Sequence, residues 1–304
     1  MNATELTIEL KEETLGTILK EKLGNIAKRY KKQLFAVSVL VGVCLFIVIW
    51  SIIPPFNDVS WHLSESRLPP SSEHWMGTDN LGRDAFNLLL TGIKYSIGFG
   101  LLAALICSLL AVLVGVIGPF KGGWADNLSQ LLTNIILVIP VLPFIILLGS
   151  ILRGETGSGI SSIWVIVIVI SLFNWPWAAR SIRSQVLSLK ERNFVKISRM
   201  SALGDTRIAF SEVLPNVLSY VILSFTIITG IAIQTEASIA MIGFGQSEYI
   251  TLGYLLNWGV ENGYIQTFKW WGWVPHGIVL MLFLVLIYSV HGSFLSTFNP
   301  RTRE

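Results

Sequence analysis

The chain of 304 residues has few charged side chains and almost no cysteine or histidine. Charged residues make up only 13% of it, about half the usual share in a soluble domain, while 52% are hydrophobic. This composition excludes an ordinary soluble globular protein and indicates a chain that folds in a lipid bilayer. The two cysteines, Cys44 and Cys107, both lie in long apolar runs. Thiols in such surroundings pack as small apolar side chains, so neither a disulfide nor a metal site is predicted.

The motifs of the common enzyme classes are also missing. No Gly-x-x-x-x-Gly-Lys-Ser/Thr segment is present, since the glycines around Lys121 lack both the spacing and the hydroxyl of a phosphate-binding loop. There is no nucleophile elbow and no His-Glu-x-x-His helix. The histidines are scattered and none pairs at metal-ligand spacing: His62, His74, His276 and His291. The sequence therefore predicts no catalytic residue, no metal and no cofactor on this chain.

Long apolar runs dominate what is present. A bilayer core about 30 Å thick needs roughly 20 apolar residues in a helix, and six runs qualify: 34–53, 93–120, 128–152, 160–177, 217–244 and 274–298. The runs are unbroken and do not alternate between polar and apolar residues, which excludes a membrane barrel. The predicted fold class is an all-α membrane protein with six transmembrane helices.

Positive charge predicts the orientation. With the N-terminus inside, 17 Lys and Arg residues fall in inner segments and four in outer segments, with Lys94 at a boundary. Cytoplasmic loops carry such an excess, so both termini are predicted to face the cytoplasm of a multi-pass cell-membrane protein. The first 33 residues are charged and the run after them is too long for a signal peptide, so we expect no cleavable signal here.

These runs divide the chain into five predicted parts: a cytoplasmic N-terminal helix (1–33), an anchor span (34–54), an outer segment (55–92), a five-span membrane domain (93–298) and a cytoplasmic tail (299–304). The five-span domain contains a long basic loop, 180–216, with seven Lys or Arg and three acids. Apolar residues recur in it at helical spacing, and Gly204 with Asp205 supplies a break between two amphipathic pieces. Such a loop is suited to contact with another protein, or alternatively with anionic lipid.

The outer segment contains a glycine-punctuated turn that precedes the second run, consisting of Gly77, Thr78, Asp79, Asn80, Leu81, Gly82, Arg83 and Asp84. Asp79 or Asn80 can cap the following helix, and Asp84 would lie favourably in its first turn. Arg83 lies between acids, and we expect it to pair with one of them.

The segment Gly-Thr-Asp-x-Leu-Gly-Arg-Asp resembles the hallmark of the second permease subunit of dipeptide and oligopeptide ABC importers, which are binding-protein-dependent transport systems. The resemblance extends over nearly the whole chain and includes Leu214-Pro215-Asn216, Glu236-Ala237-Ser238, Ile242-Gly243-Phe244-Gly245 and Asn299-Pro300-Arg301. It implies the type I ABC importer permease fold with a cytoplasmic coupling helix. It also implies import of oligopeptides or solutes of similar size, with oligosaccharides as an alternative. A stand-alone channel, a secondary transporter and an intramembrane enzyme fit the sequence less well.

The resemblance further implies the partners: a homologous second permease, two ATPase subunits that hold ATP and Mg, an extracellular solute-binding protein and the lipid bilayer, but no nucleic acid. The family's loop usually reads Glu-Ala-Ala, three residues, Gly, nine residues, Ile-x-Leu-Pro. This chain departs from that motif: the Glu-Ala-Ala position reads Lys196-Ile197-Ser198, the Gly position is Ala202 and the Ile position is Glu212. Only Leu214-Pro215 matches the motif. The residues implied in ATPase coupling are Phe194, Lys196, Ile197, Ser198, Met200, Ala202, Leu203, Gly204, Leu214 and Pro215.

Glu236 is the one acidic residue inside a predicted span. A charge at mid-bilayer costs a few kcal/mol, about 2.5–3.5 on insertion scales, so Glu236 should face protein or water. Two interpretations stay open from the sequence. Glu236 braces a neighbouring helix break, or it lines the solute pathway together with Gln234.

Overall fold

The computed structural model describes residues 62–156, 163–201, 203–244 and 249–298, together with a few isolated positions before residue 62. Nine α-helices are formed in these ranges: α1 (Ala85–Lys121), α2 (Gly123–Val138), α3 (Val141–Thr156), α4 (Ile163–Lys190), α5 (Asn193–Met200), α6 (Asp205–Ile208), α7 (Leu214–Ile239), α8 (Leu252–Glu261) and α9 (Val274–Phe298). A π-helical turn, Ala209–Val213, joins α6 to α7, and another, Ala240–Phe244, follows α7. Asp205–Phe244 is thus one helical segment of 40 residues.

The all-α membrane fold is confirmed. Within the described residues, four helical segments are long and apolar enough to cross a membrane: Ala85–Lys121, Trp164–Lys190, Asp205–Phe244 and Val274–Leu295. A fifth crossing is made if α2 and α3 count as one bent span. The predicted anchor span 34–53 lies outside the described residues, so the count of six stays a prediction, as does the division into domains.

The helices differ from the apolar runs and the loop of the sequence at three places. The run 128–152 is two helices bent by 77°, because Pro140 has no N–H and holds the preceding Ile139 in an extended conformation, with φ −77° and ψ 119°. α4 does not end at residue 177 but passes through Pro176 and continues to Lys190. The predicted loop 180–216 therefore shrinks to 191–204, because its two ends are extensions of the spans on either side.

Small residues bring α1 and α4 into close contact. Ala104, Cys107 and Ala111 are fully buried in the cluster that joins these two helices. A Cβ atom on Gly115 would lie 2.8 Å from the carbonyl oxygen of Ala179. Membrane helices pack in this way because lipid provides no hydrophobic force between them, so close van der Waals contact must hold them together. The thiol of Cys107 donates a hydrogen bond to the Ser171 carbonyl, at 3.2 Å.

Candidate functional site

The outer turn is folded around the Asp79 carboxylate. Its Oδ1 atom accepts hydrogen bonds from the backbone N–H groups of Leu81, at 2.8 Å, and Arg83, at 2.9 Å. Its Oδ2 atom accepts from the Arg83 guanidinium, at 2.7 Å. Asp79 and Arg83 are each 6% exposed. A buried ion pair is stable only when hydrogen bonds satisfy its remaining polar atoms. The turn satisfies the Asp79 carboxylate, whereas Nη2 of Arg83 is buried and, apart from the ion pair with Asp79, has no hydrogen-bond partner among the described residues.

The helix cap differs from the sequence expectation. Neither Asp79 nor Asn80 caps α1; Asp84 does, accepting from the backbone N–H groups of Phe86, at 2.9 Å, and Asn87, at 3.0 Å. The second carboxylate oxygen of Asp84 lies 2.8 Å from Nδ1 of His74. Asp79 is used inside the turn instead, because two peptide N–H groups and a guanidinium converge on it.

The turn is joined to α8 and to the segment that follows it. The Arg83 guanidinium lies over the Trp258 ring, 5.1 Å from its centroid, and the Trp258 indole donates to Asn80 Oδ1 at 2.9 Å. The Asn80 amide in turn donates to Asn262 Oδ1 at 2.7 Å. Burial raises the pKa of Tyr264 to about 12, so this residue keeps its proton beside the turn. The outer turn is therefore a structural junction between the start of α1 and α8.

Two glycines of the turn have positive φ, Gly77 at +71° and Gly82 at +75°. A Cβ atom on Gly82 would lie 1.8 Å from the His62 carbonyl oxygen, whereas one on Gly122, at φ +64°, would meet nothing within 4 Å. Gly82 is therefore fixed both by its dihedral angles and by a close backbone approach.

We expect Gly82→Ala to disrupt the outer turn and Gly122→Ala to cost only the dihedral strain of about 1–2 kcal/mol. The thermal unfolding midpoint of the two variants, purified in detergent, checks this. Equal midpoints would contradict the close approach at Gly82.

The opposite end of the bundle carries α5, which has one buried and one exposed face. Val195 is fully buried, while Ile197 is 63% exposed and Met200 is 87% exposed. Phe194 and Leu203 pack against the core cluster around α1 and α4. Lys196 is exposed beside Ile197. We call Lys196, Ile197, Arg199 and Met200 the α5 surface.

The structure thus divides the predicted coupling residues. Phe194 and Leu203 are partly buried and pack against the bundle's own core, whereas Ile197 and Met200 are exposed. The Ser198 hydroxyl donates to the Phe194 carbonyl at 3.1 Å. Gly204 and Pro215 are exposed and Leu214 is half-buried, while Ala202 lies outside the described residues.

An ion pair that sequence reasoning missed holds α4 against the first turns of α2. Arg183 Nε donates to Asp126 Oδ1 at 2.9 Å, and the terminal nitrogen donates to Oδ2 at 2.7 Å. Nearby, Lys190 Nζ donates to the Pro119 carbonyl at 2.6 Å. Asp126 and Arg183 are 57 residues apart in sequence, so no local sequence pattern could have revealed this ion pair. The ion pair connects α4, the helix leading into α5, with the start of the bent span, and the Lys190 contact connects α4 with the last turn of α1.

Because the Asp126–Arg183 pair is bidentate and mostly shielded from solvent, Asp126→Asn should lower the free energy of unfolding by about 1.5–3 kcal/mol. Asp205→Asn is the matched control. It breaks the Arg199–Asp205 ion pair, in which the charged atoms are 3.3 Å apart and the side chains are 41% and 49% exposed. Exposed ion pairs contribute about 0–1 kcal/mol to stability. Denaturant titration of both variants gives the comparison, and a similar loss in both would contradict it.

Glu236 lies in α7 with 5% of its surface exposed. Its Oε1 atom accepts from the Thr251 hydroxyl at 2.7 Å. Thr251 caps α8 by accepting from the Tyr254 N–H at 3.1 Å, and the adjacent Leu252 N–H donates to the Ser96 hydroxyl of α1 at 3.0 Å. Within the described residues, Oε2 of Glu236 has no hydrogen-bond partner. The carboxyl group thus lies where α7, α8 and α1 meet.

Gln234 is exposed on the other side of α7 and accepts from the Tyr288 hydroxyl at 3.3 Å. The two polar residues that the sequence grouped together therefore face different surroundings. Thr251 and Ser96 were missed from the sequence. A threonine immediately before an apolar helix is a helix-cap signal that could have identified Thr251.

Comparison with known proteins identifies the family of this chain and a solved structure of similar fold. The model of the family described as binding-protein-dependent transport system inner membrane component matches residues 108–303. The chain is 31% identical to the dipeptide transport system permease protein DppC of Bacillus subtilis, over 80% of this chain and 75% of that protein. It is 29% identical to the oligopeptide transport system permease protein OppC of Mycobacterium tuberculosis, over 92% of this chain and 94% of that one.

A solved structure of an inward-facing MetNI methionine ABC transporter has a chain of the same fold. The TM-score is 0.53 at 19% sequence identity, over 68% of this chain and 93% of that chain. At this identity the similarity supports the fold alone.

Proposed function

The chain belongs to the family of binding-protein-dependent transport system inner-membrane components, and from that premise we propose that it is the permease subunit of an ATP-driven importer of short peptides. The peptide class is supported by relatives named dipeptide and oligopeptide permeases, which align with 80% and 92% of this chain.

The observation that carries the coupling mechanism is the α5 surface. A helix of eight residues with a fully buried Val195 on one side exposes Met200 almost completely on the other. Large apolar side chains that project next to charges are typical anchors of protein interfaces. We propose that an ATPase subunit covers this surface, and that a second ATPase subunit contacts a homologous permease.

The contacts behind α5 would carry the motion of the ATPase into the membrane. Phe194, Val195 and the following Leu203 fix α5 to the core. Arg183 joins α4 to the start of α2, and Lys190 joins α4 to the last turn of α1. Closure of the ATPases around ATP and Mg would therefore move α5 and the bent span together. A solute-binding protein on the outer side would deliver the peptide.

Met200→Asp places a charge in the apolar groove of the ATPase, so we expect the permease to insert and fold normally while ATPase copurification falls at least tenfold, a loss of about 1.4 kcal/mol or more. Leu203→Asp is the contrasting variant, because it places the charge in the permease core and should lower folded yield. Lys196→Glu, at the rim, should be mild. Copurification that is unaltered in Met200→Asp would overturn the assignment.

The assignment also requires the α5 surface to face the cytoplasm. A cysteine at the exposed Ser188 should react with an impermeant thiol reagent only in inverted vesicles, and one at the exposed Ser71 only in right-side-out vesicles. The opposite pattern would contradict the orientation derived from the charge distribution.

For Glu236 we propose the bracing role, because its carboxyl group accepts from the residue that caps α8. Glu236→Gln keeps an oxygen for the Thr251 hydroxyl and should leave assembly and peptide uptake per complex close to normal. Glu236→Ala removes that acceptor and should cost about 1–3 kcal/mol of stability. Thermal unfolding and uptake by reconstituted complexes separate the roles. Stable Glu236→Gln complexes with impaired uptake would instead place the residue in the pathway.

A further inference from the structure

The break between α2 and α3 leaves backbone carbonyl groups without helical donors. In a continuous helix the carbonyls of Ile136 and Ile139 would accept from residues 140 and 143, but both of these are prolines without an N–H. The Ile139 N–H bonds back to the Ile136 carbonyl at 3.1 Å. The Ile139 carbonyl has no such replacement among the backbone hydrogen bonds of the described residues.

This break lies inside an apolar stretch. The helices Gly123–Val138 and Val141–Leu148 are together long and apolar enough to cross a membrane, and the break stands between them. Whether the pair is one bent span or a re-entrant loop, the break is flanked by apolar helix on both sides and lies at membrane depth.

A cavity of about 280 Å³ lies beside the break. Its lining comes from α2, the break, α3, α4 and α7 and consists of Ile136, Leu137, Ile139, Val141, Phe173, Asn174, Trp177, Ile228 and Ile231. Asn174 is the only amide side chain of this lining, and its Nδ2 atom donates to the Ile170 carbonyl at 2.7 Å. Trp177 is 49% exposed and Leu137 is 39% exposed, so the cavity opens to the surface of the chain.

Irregular backbone at membrane depth is not stable against lipid, because each unpaired polar group there costs several kcal/mol. It is stable only where it is buried in protein or lines a water-filled cavity. Pro140 is exposed on this chain, so the break must face water or another protein. Secondary transporters commonly place such interrupted helices at their solute sites, where the freed carbonyls act as ligands. The same backbone chemistry is available at this break.

We infer that the cavity beside Pro140 lines the solute pathway and is a contact site for the backbone of a short peptide. The freed carbonyl of Ile139 accepts from the terminal ammonium or amide N–H groups of the peptide, and the Asn174 amide contributes a further polar contact. The apolar lining takes peptide side chains without selecting strongly among them. This inference rests on the proposed import of peptides and assigns the residues that the peptide meets.

The test is thiol accessibility in the assembled importer, reconstituted with its ATPases and binding protein. The background carries Cys44→Ala and Cys107→Ala. Leu137→Cys places a thiol in the cavity, and Val285→Cys, at a 54% exposed position about 16 Å into α9, is the matched control. A small water-soluble methanethiosulfonate reagent reacts with thiolates, which form in water and not in lipid. Tetraalanine is the peptide probe.

We expect the cysteine at position 137 to react at least tenfold faster than the cysteine at 285, and tetraalanine to slow it at least twofold during ATP turnover. Equal, slow reaction at both positions would mean that lipid or the second permease covers the cavity, and would overturn the inference. Fast reaction without protection would overturn the peptide contact. Uptake of labelled tetraalanine by the same complexes tests the proposed function separately. Uptake without protection of the cysteine at 137 would contradict only the proposed contact site. Absence of uptake would contradict the proposal that the importer carries peptides.

Discussion

A backbone carbonyl inside a bilayer has no water to bond, and this constraint governs the architecture more than any single side chain. It explains why most of the described chain is helical and why the exceptions are few and specific. Three interruptions among the described residues have hydrogen bonds that satisfy part of the free backbone: Asp84 caps α1, Thr251 caps α8, and the Ile139 N–H donates back to the Ile136 carbonyl before Pro140. Within the part of the chain that the structure describes, the Ile139 carbonyl lacks such a hydrogen bond, and a cavity lies beside it.

The two ends of the bundle present different kinds of surface, because their polar and apolar side chains are buried to different extents. At the end that carries the outer turn, the Asp79–Arg83 pair is buried, its carboxylate accepts from the turn's own N–H groups, and Trp258 covers its guanidinium. Its burial indicates a fixed junction rather than a site that waits for a ligand. At the other end, α5 buries Val195 but leaves Met200 and Ile197 in solvent. An apolar surface of this kind next to basic residues is what a partner protein would cover.

Polar contacts between these ends connect helices that are distant in sequence. Asp126 with Arg183 joins α2 to α4, and Glu236 with Thr251 joins α7 to α8. Rigid helices joined by a few directional contacts transmit displacement over long distances more faithfully than loops do. Asp126 lies on α2 itself, so the bent α2–α3 span is joined directly to α4, the helix that leads into α5.

The sequence by itself determined the membrane class, most of the spans and the charge asymmetry, because these depend on composition and on runs that are local in the chain. It also supplied the family, because the segment from Gly77 to Asp84 is contiguous. Only the tertiary structure decided which face of α5 is free, that Asp84 rather than Asp79 caps α1, and that α4 continues past Pro176. Those outcomes depend on which neighbours cover a side chain or accept from an N–H, and such neighbours, like Asp126 and Arg183, lie far apart in sequence.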